Sequence, residues 1–112
     1  MKACIDQALA RLPAARTTIY PNGAPFVGVM AGGSMSVEVF APQGSDLQQP
    51  HAQDELYFIH SGTAQIIING QRFDAAPGDA FFVAAGVVHK FENFSSDFVT
   101  WVVFYGPSGG EQ

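Results

Sequence analysis

Cysteine is nearly absent: Cys4 is the only one in 112 residues, which excludes an internal disulfide and fits a reducing compartment. Positive charge is scarce as well. Five Lys and Arg face ten Asp and Glu, a formal charge of −5, and the bases form no cluster. Such a chain is repelled by a phosphate backbone or an anionic bilayer, so neither nucleic acid nor a membrane is expected as a partner. Long apolar runs are missing from the N-terminal segment, where Asp6 and Arg11 interrupt the sequence. Neither a signal peptide nor a membrane span is expected, and a cytoplasmic location follows by default. No extended polar or Pro/Ser-rich stretch divides the chain. The expectation is a single domain over 1–112, with a helical arm over 1–16, a core over 17–106 and a frayed tail over 107–112.

Apolar residues, by contrast, are plentiful. At 47% hydrophobic and 13% charged, the chain has enough apolar surface to offset its ordering entropy and to fold alone. Ten Phe, twelve Gly and many Val and Ile favour strands joined by tight turns over a helical bundle, so the expected class is all-β.

The pattern along the chain agrees. Asp6 is placed to cap a short helix in which Ile5, Leu9 and Leu12 recur at helical spacing before Pro13 stops it. Pro21-Asn22-Gly23 reads as a turn between strands at Thr18 to Tyr20 and Phe26 to Val29. In Met35 to Phe40, Met35, Val37 and Val39 share one face and Ser36 and Glu38 the other. Strands follow at Glu55 to Ile59 and Ala64 to Ile68, then Asn69-Gly70, the strongest hairpin signal in the chain, leads into Gln71 to Asp74. Ala80 to Val83, Val87 to Phe91 and Phe98 to Tyr105 complete the set. Many short strands at regular spacing point to a sandwich or closed barrel. Both faces of Phe98 to Tyr105 are apolar, so this strand needs cover on both sides, and a homodimer accounts for Trp101.

Two separated stretches carry polar groups among apolar strands. If Gln49 to Glu55 is extended, Gln49, His51, Gln53 and Glu55 point to one side, and four ligand-capable groups line a single face. In the second stretch Lys90 and Glu92 need water, which turns His89, Phe91 and Asn93 inward. Tyr57 shares the face of Glu55 and is a candidate catalytic proton donor, whereas His60 lies on the opposite face and is excluded.

The spacing Gly44, His51, Glu55, Gly62 resembles the first motif of the cupin family, and Gly78, Gly86, His89, Asn93 resembles the second. The resemblance implies a jelly-roll barrel, or double-stranded β-helix. It also implies a divalent metal held by His51 and Glu55 from one strand pair and His89 from another, and it makes a homodimer the expected assembly. Gln49 stands where the first motif usually opens with histidine, and Ala84 where the second usually has proline. The fourth metal position therefore falls to Gln49, to Gln53 or to water, with either glutamine a weak ligand or a substrate contact. Two imidazoles and a carboxylate resemble the facial triad of non-haem iron oxygenases and equally suit manganese, zinc or nickel. The leading functional reading is a metal-binding cupin acting on a small organic molecule by dioxygenase-type chemistry, with Phe91, Phe82 and Asn93 lining the pocket. Two others stand beside it: a non-catalytic module that binds a small molecule, and a metal-free sugar isomerase or epimerase with His51 or His89 as base and Tyr57 as acid.

Overall fold

A computed structural model describes residues 1–111. One short helix, α1 (Ile5–Leu9), precedes eight strands: β1 (Phe26–Gly32), β2 (Met35–Phe40), β3 (Asp54–Ser61), β4 (Ala64–Ile68), β5 (Gln71–Ala75), β6 (Ala80–Val83), β7 (His89–Glu92) and β8 (Val99–Tyr105). Every pairing is antiparallel, in a five-stranded sheet of order β1-β2-β8-β3-β6 and a three-stranded sheet of order β5-β4-β7. The last strand thus lies between β2 and β3, and the chain crosses repeatedly from one sheet to the other. This is the jelly-roll barrel expected of the sequence.

Alternation decides which side chains enter the barrel. Along β3, Glu55, Tyr57 and Ile59 are buried while Leu56, Phe58 and His60 are exposed. β8 contributes Val102 and Phe104 to the same interior, and the three-stranded sheet contributes Ile66 and Phe91. The Phe91 ring sits 5.0 Å from both Tyr57 and Phe98, so an aromatic stack ties the two sheets together directly behind the site described below. Full burial of such side chains stabilises by about 1.5–3 kcal/mol each. At Gly62 a side chain has no room: the backbone is left-handed at φ 72, and a Cβ would stand 2.6 Å from the Phe98 Cα. The Asn69-Gly70 turn takes φ values of 49 and 82, as a two-residue hairpin between β4 and β5 requires.

A second apolar cluster lies outside the barrel, where Ala8 of α1 packs with Val27, Val39 and Val99. The apolar face of β2 therefore turns outward beneath the helix, and the face bearing Glu38 and Phe40 turns in. Several expectations need correction. α1 is capped at Cys4, with Asp6 inside its first turn and no side-chain cap. Thr18 to Tyr20 forms no strand; Thr17 and Tyr20 close a turn on each other, and the prolines at 21 and 25 have no N–H to give a ladder. The tail over 107–111 is folded back: the Gly109 N–H donates to Ala52 O at 2.7 Å and the Glu111 N–H to Asp54 Oδ2 at 3.2 Å. No helix among the described residues is long and apolar enough to cross a membrane.

Candidate metal centre

The three residues singled out by spacing come from three places in the fold. His51 stands in the loop before β3, fixed where its carbonyl accepts the Gly86 N–H at 2.8 Å and its ring packs 4.8 Å from Phe104. Glu55 is the second residue of β3, flanked by Val83 of β6 and Phe104 of β8. His89 opens β7 in the other sheet, opposite Ile68. Across the barrel their ligand atoms converge, all within 4.8 Å of one another. Nε2 of His51 is 3.8 Å from Glu55 Oε2, and Nε2 of His89 is 2.5 Å from Glu55 Oε1.

The hydrogen bonds around this cluster gather acceptors on one side of it. Nδ1 of His89 lies 2.8 Å from the Val87 carbonyl, a group that only accepts, so Nδ1 carries the proton. Around Nε2 stand Glu55 Oε1, Gln48 Oε1 at 3.0 Å and the Tyr57 hydroxyl at 3.0 Å. That hydroxyl already donates to Gln48 Oε1 at 2.9 Å. Nε2 therefore faces acceptors, and only a cation between them, a proton or a metal ion, makes the arrangement favourable. Glu55 makes the same point. Its side chain is 1% exposed, and despite the closeness of His89 neither carboxylate oxygen makes an aligned hydrogen bond. A carboxylate stripped of water and of donors is costly unless a cation meets it.

Proton affinities follow from the same environment. Burial works to lower the His89 pKa, but the Glu55 carboxylate, the Val87 carbonyl and Asp46 work upward and prevail, so the site draws a cation to Nε2. His51 is held below its ordinary value by burial, with Glu55 opposing and His89 reinforcing the shift, which keeps its ring neutral and its lone pair free. Burial, then the charges of Glu55 and Asp46, push the Tyr57 hydroxyl well above the normal phenol range, so it stays protonated. Two imidazoles and one carboxylate are a donor set that fits a divalent transition metal, which would take the place of the proton that Glu55 draws to His89 Nε2.

Gln48 and Asp46 are the residues that sequence reasoning missed. Asp46 Oδ2 accepts the Gln48 Nε2–H at 2.5 Å and the Phe91 N–H at 2.8 Å, and its Oδ1 accepts the Gln48 N–H at 3.1 Å. This fixes the Gln48 amide with its oxygen toward Tyr57 and His89. The side-chain acceptor two residues before a backbone N–H was the available signal. Gln49 is exposed in the pocket lining, because no strand begins until Asp54 and the chain bends at Ala52 and Gln53. Gln53 lines the pocket, but its amide donates to Ser34 O at 2.8 Å and Gly106 O at 2.9 Å, pinning the loop. Phe91 is buried behind Tyr57. Phe82 does not line the pocket: it is 58% exposed on the outer face, opposite Leu56, and Phe81 takes the inward place opposite Tyr57. Asn93 does not line it either; β7 ends at Glu92, Asn93 adopts φ 52, and its exposed amide donates to Gln65 Oε1 at 2.8 Å. His60 is exposed and distant from the cluster. Beside His51 and Tyr57 opens a cavity of about 400 Å³ walled by Tyr20, Phe26, Phe40 and Phe104, with Glu38 on one side. That volume is at the small end of ordinary ligand sites.

Known proteins share this architecture. The chain is 39% identical over 88 residues, 77% of its length and 84% of the relative, to the uncharacterized protein SCO3923 of Streptomyces coelicolor. A cupin superfamily protein (DSY2733) of Desulfitobacterium hafniense DCB-2 superposes with a TM-score of 0.64 at 21% identity over 89% of each chain. The DMSP lyase DddQ of Ruegeria pomeroyi DSS-3 superposes with a TM-score of 0.63 at 24% identity, over 72% of this chain and 46% of that one. The family defined as the cupin domain matches residues 36–105, a span that contains the whole His51, Glu55 and His89 cluster, and the chain belongs to that family.

Proposed function

We propose that this cupin binds one divalent metal through His51, Glu55 and His89 and uses it on a small organic molecule held in the adjoining pocket. The observation that carries the reading is the buried Glu55 carboxylate, unbonded and flanked by two imidazole nitrogens. When bound, iron or manganese supplies redox chemistry of the dioxygenase type, and zinc or nickel supplies polarisation of a carbonyl or of water. The chain's own residues do the rest. Gln48 presents an amide oxygen beside the cluster and orients the Tyr57 hydroxyl. Tyr57 holds a proton at its oxygen, 3.0 Å from His89 Nε2 and facing the pocket, where it can be delivered to a developing anion. The aromatic wall excludes water from one side of the ligand. A lyase or isomerase reaction is the second reading, supported by that fixed proton; one solved relative of the fold is a DMSP lyase.

Two further elements belong to the same proposal. A cytoplasmic location is supported by the single free thiol at Cys4. A homodimer is supported by the outer face of the five-stranded sheet, where Leu56 lies between Phe82 and Val103, and Phe58 lies beside Trp101. Phe82 and Phe58 are 58% and 44% exposed there, an apolar patch that a symmetry-related copy would cover.

Elemental analysis of protein purified without added metal tests the central claim. One transition-metal ion per chain is expected in the wild type, with strong depletion in His51→Ala and His89→Ala. Equal metal content in wild type and both variants removes the ligand assignment.

A further inference from the structure

The pocket contains a carboxyl group that the metal reading leaves unused. Glu38 projects from β2 into the barrel, on the same cross-strand row as Val102 and Tyr57: Glu38 pairs with Val102, and Val102 pairs with Tyr57 on its other side. Paired residues present their side chains to one face of the sheet, which sets Glu38 about two strand spacings, roughly 10 Å, from Tyr57 across the pocket floor. Among the described residues no side-chain hydrogen bond or ion pair reaches Glu38. No Lys or Arg lines the cavity; Arg72 pairs with Glu92 and Arg11 donates to Gly28 O.

We infer that the pocket selects a compact organic ammonium ion, its cationic head held by the Glu38 carboxylate and the faces of the surrounding rings. The inference rests on the proposed function only in placing the ligand in this cavity. Three features agree with it. Glu38 is an acceptor without a donor, and a primary ammonium brings three. Tyr20, Phe26, Phe40 and Phe104 wall the same 400 Å³ space, and aromatic faces attract a desolvated cation while also packing an apolar body. Burial and the nearby Glu55 charge both hold the Glu38 pKa above the ordinary carboxylate range, so every influence on this carboxylate from the protein is unfavourable to its charge, and a positive ligand head supplies the missing offset. At the Glu38 end of the cavity an anionic group meets a second negative charge, with no Lys or Arg in the lining to offset it.

The experiment titrates the full chain with benzylamine and, separately, with benzyl alcohol at neutral pH, following backbone amide resonances of the pocket residues by NMR. The two probes share one apolar body and differ in the head group. Benzylamine is expected to bind about tenfold more tightly than benzyl alcohol, and Glu38→Gln to abolish that margin while leaving benzyl alcohol affinity unchanged. Equal affinities in the wild type, a preference that survives in Glu38→Gln, or no response from pocket residues to either probe each overturn the inference. Should Glu38→Gln not fold, the wild-type pair of affinities decides alone. Metal content measured on the same samples keeps the two readings apart. Metal-free protein that prefers the amine refutes the metal site only, and metal-loaded protein without the preference refutes the ammonium pocket only.

Discussion

Glu55→Gln separates a metal ligand from a structural ion pair, because the two roles place the loss of stability under different conditions, in metal for a ligand and in chelator for an ion pair. The substitution keeps the side-chain volume at a position 2% exposed and removes only the charge. If Glu55 is a ligand, wild-type protein in metal at a hundred times its dissociation constant is stabilised by about 2.7 kcal/mol. In a domain of this size that raises Tm by roughly 10 °C over the chelated protein. The variant, with a neutral amide in place of one of three donors, keeps little of that gain. In chelator the comparison reverses its emphasis. There the carboxylate keeps only its closeness to the His89 ring, and the cost of burying its charge opposes that gain, so chelated variant and chelated wild type are expected to melt within about 1 kcal/mol of each other. Thermal unfolding followed by circular dichroism, in EDTA and in excess zinc or manganese, reads both arms. The reasoning is refuted if wild-type Tm ignores metal and chelator while Glu55→Gln costs about 3–5 kcal/mol in EDTA. That is the signature of a broken buried salt bridge to His89.

Two other substitutions address the neighbours of the site and the outer face. Tyr57→Phe removes the hydroxyl shared by Gln48 and His89; metal content should hold at the wild-type level while stability falls by about 1 kcal/mol, and turnover, once a substrate is found, should drop far more than ligand affinity. Metal loss in this variant would make Tyr57 part of the metal shell instead. Phe58→Glu places a charge in the middle of the exposed apolar patch and should convert a dimer to a monomer by light scattering, with the metal site intact; a wild-type monomer at micromolar concentration contradicts the dimer outright.

The parts of the fold legible in the sequence are those where local chemistry and period agree. The turn of the β4-β5 hairpin follows from Asn69-Gly70, which supplies the left-handed pair it needs, and the alternation of β3 is anchored by its polar ends, Glu55 on the buried face and His60 on the exposed one. β6 lacks this agreement. Ala80-Phe81-Phe82-Val83 is apolar at every position, and its faces are set only by the register with β3, which puts Phe81 beside Tyr57 and Phe82 beside Leu56. The face that β2 turns to the barrel is not fixed by its sequence, for a related reason. Its apolar side is buried, but under α1 rather than in the barrel, and nothing in the strand itself reports which of two coverings it has. The tail reads as frayed by composition, yet its glycines allow the left-handed turns that bring Gly109 and Glu111 onto the loop before β3 and onto Asp54.

The candidate site divides along the same line. His51, Glu55 and His89 were found because fixed spacings survive whatever the loop between them does. Gln48 was missed in favour of Gln49 because that choice assumed extended backbone from Gln49 to Glu55, in which odd positions share a face. No strand forms before Asp54, and the loop is oriented instead by Asp46, whose carboxylate ties Gln48 to β7 through the Phe91 N–H. Glu38 shows the converse. A strict alternation placed it correctly opposite Val37 and Val39, but a carboxylate on a half-buried strand is ordinarily assigned to solvent. Here the solvent it meets is the cavity, where an acidic side chain stands on an inner wall otherwise rich in Phe, Tyr, Val and Ile, beside His51 and Tyr57.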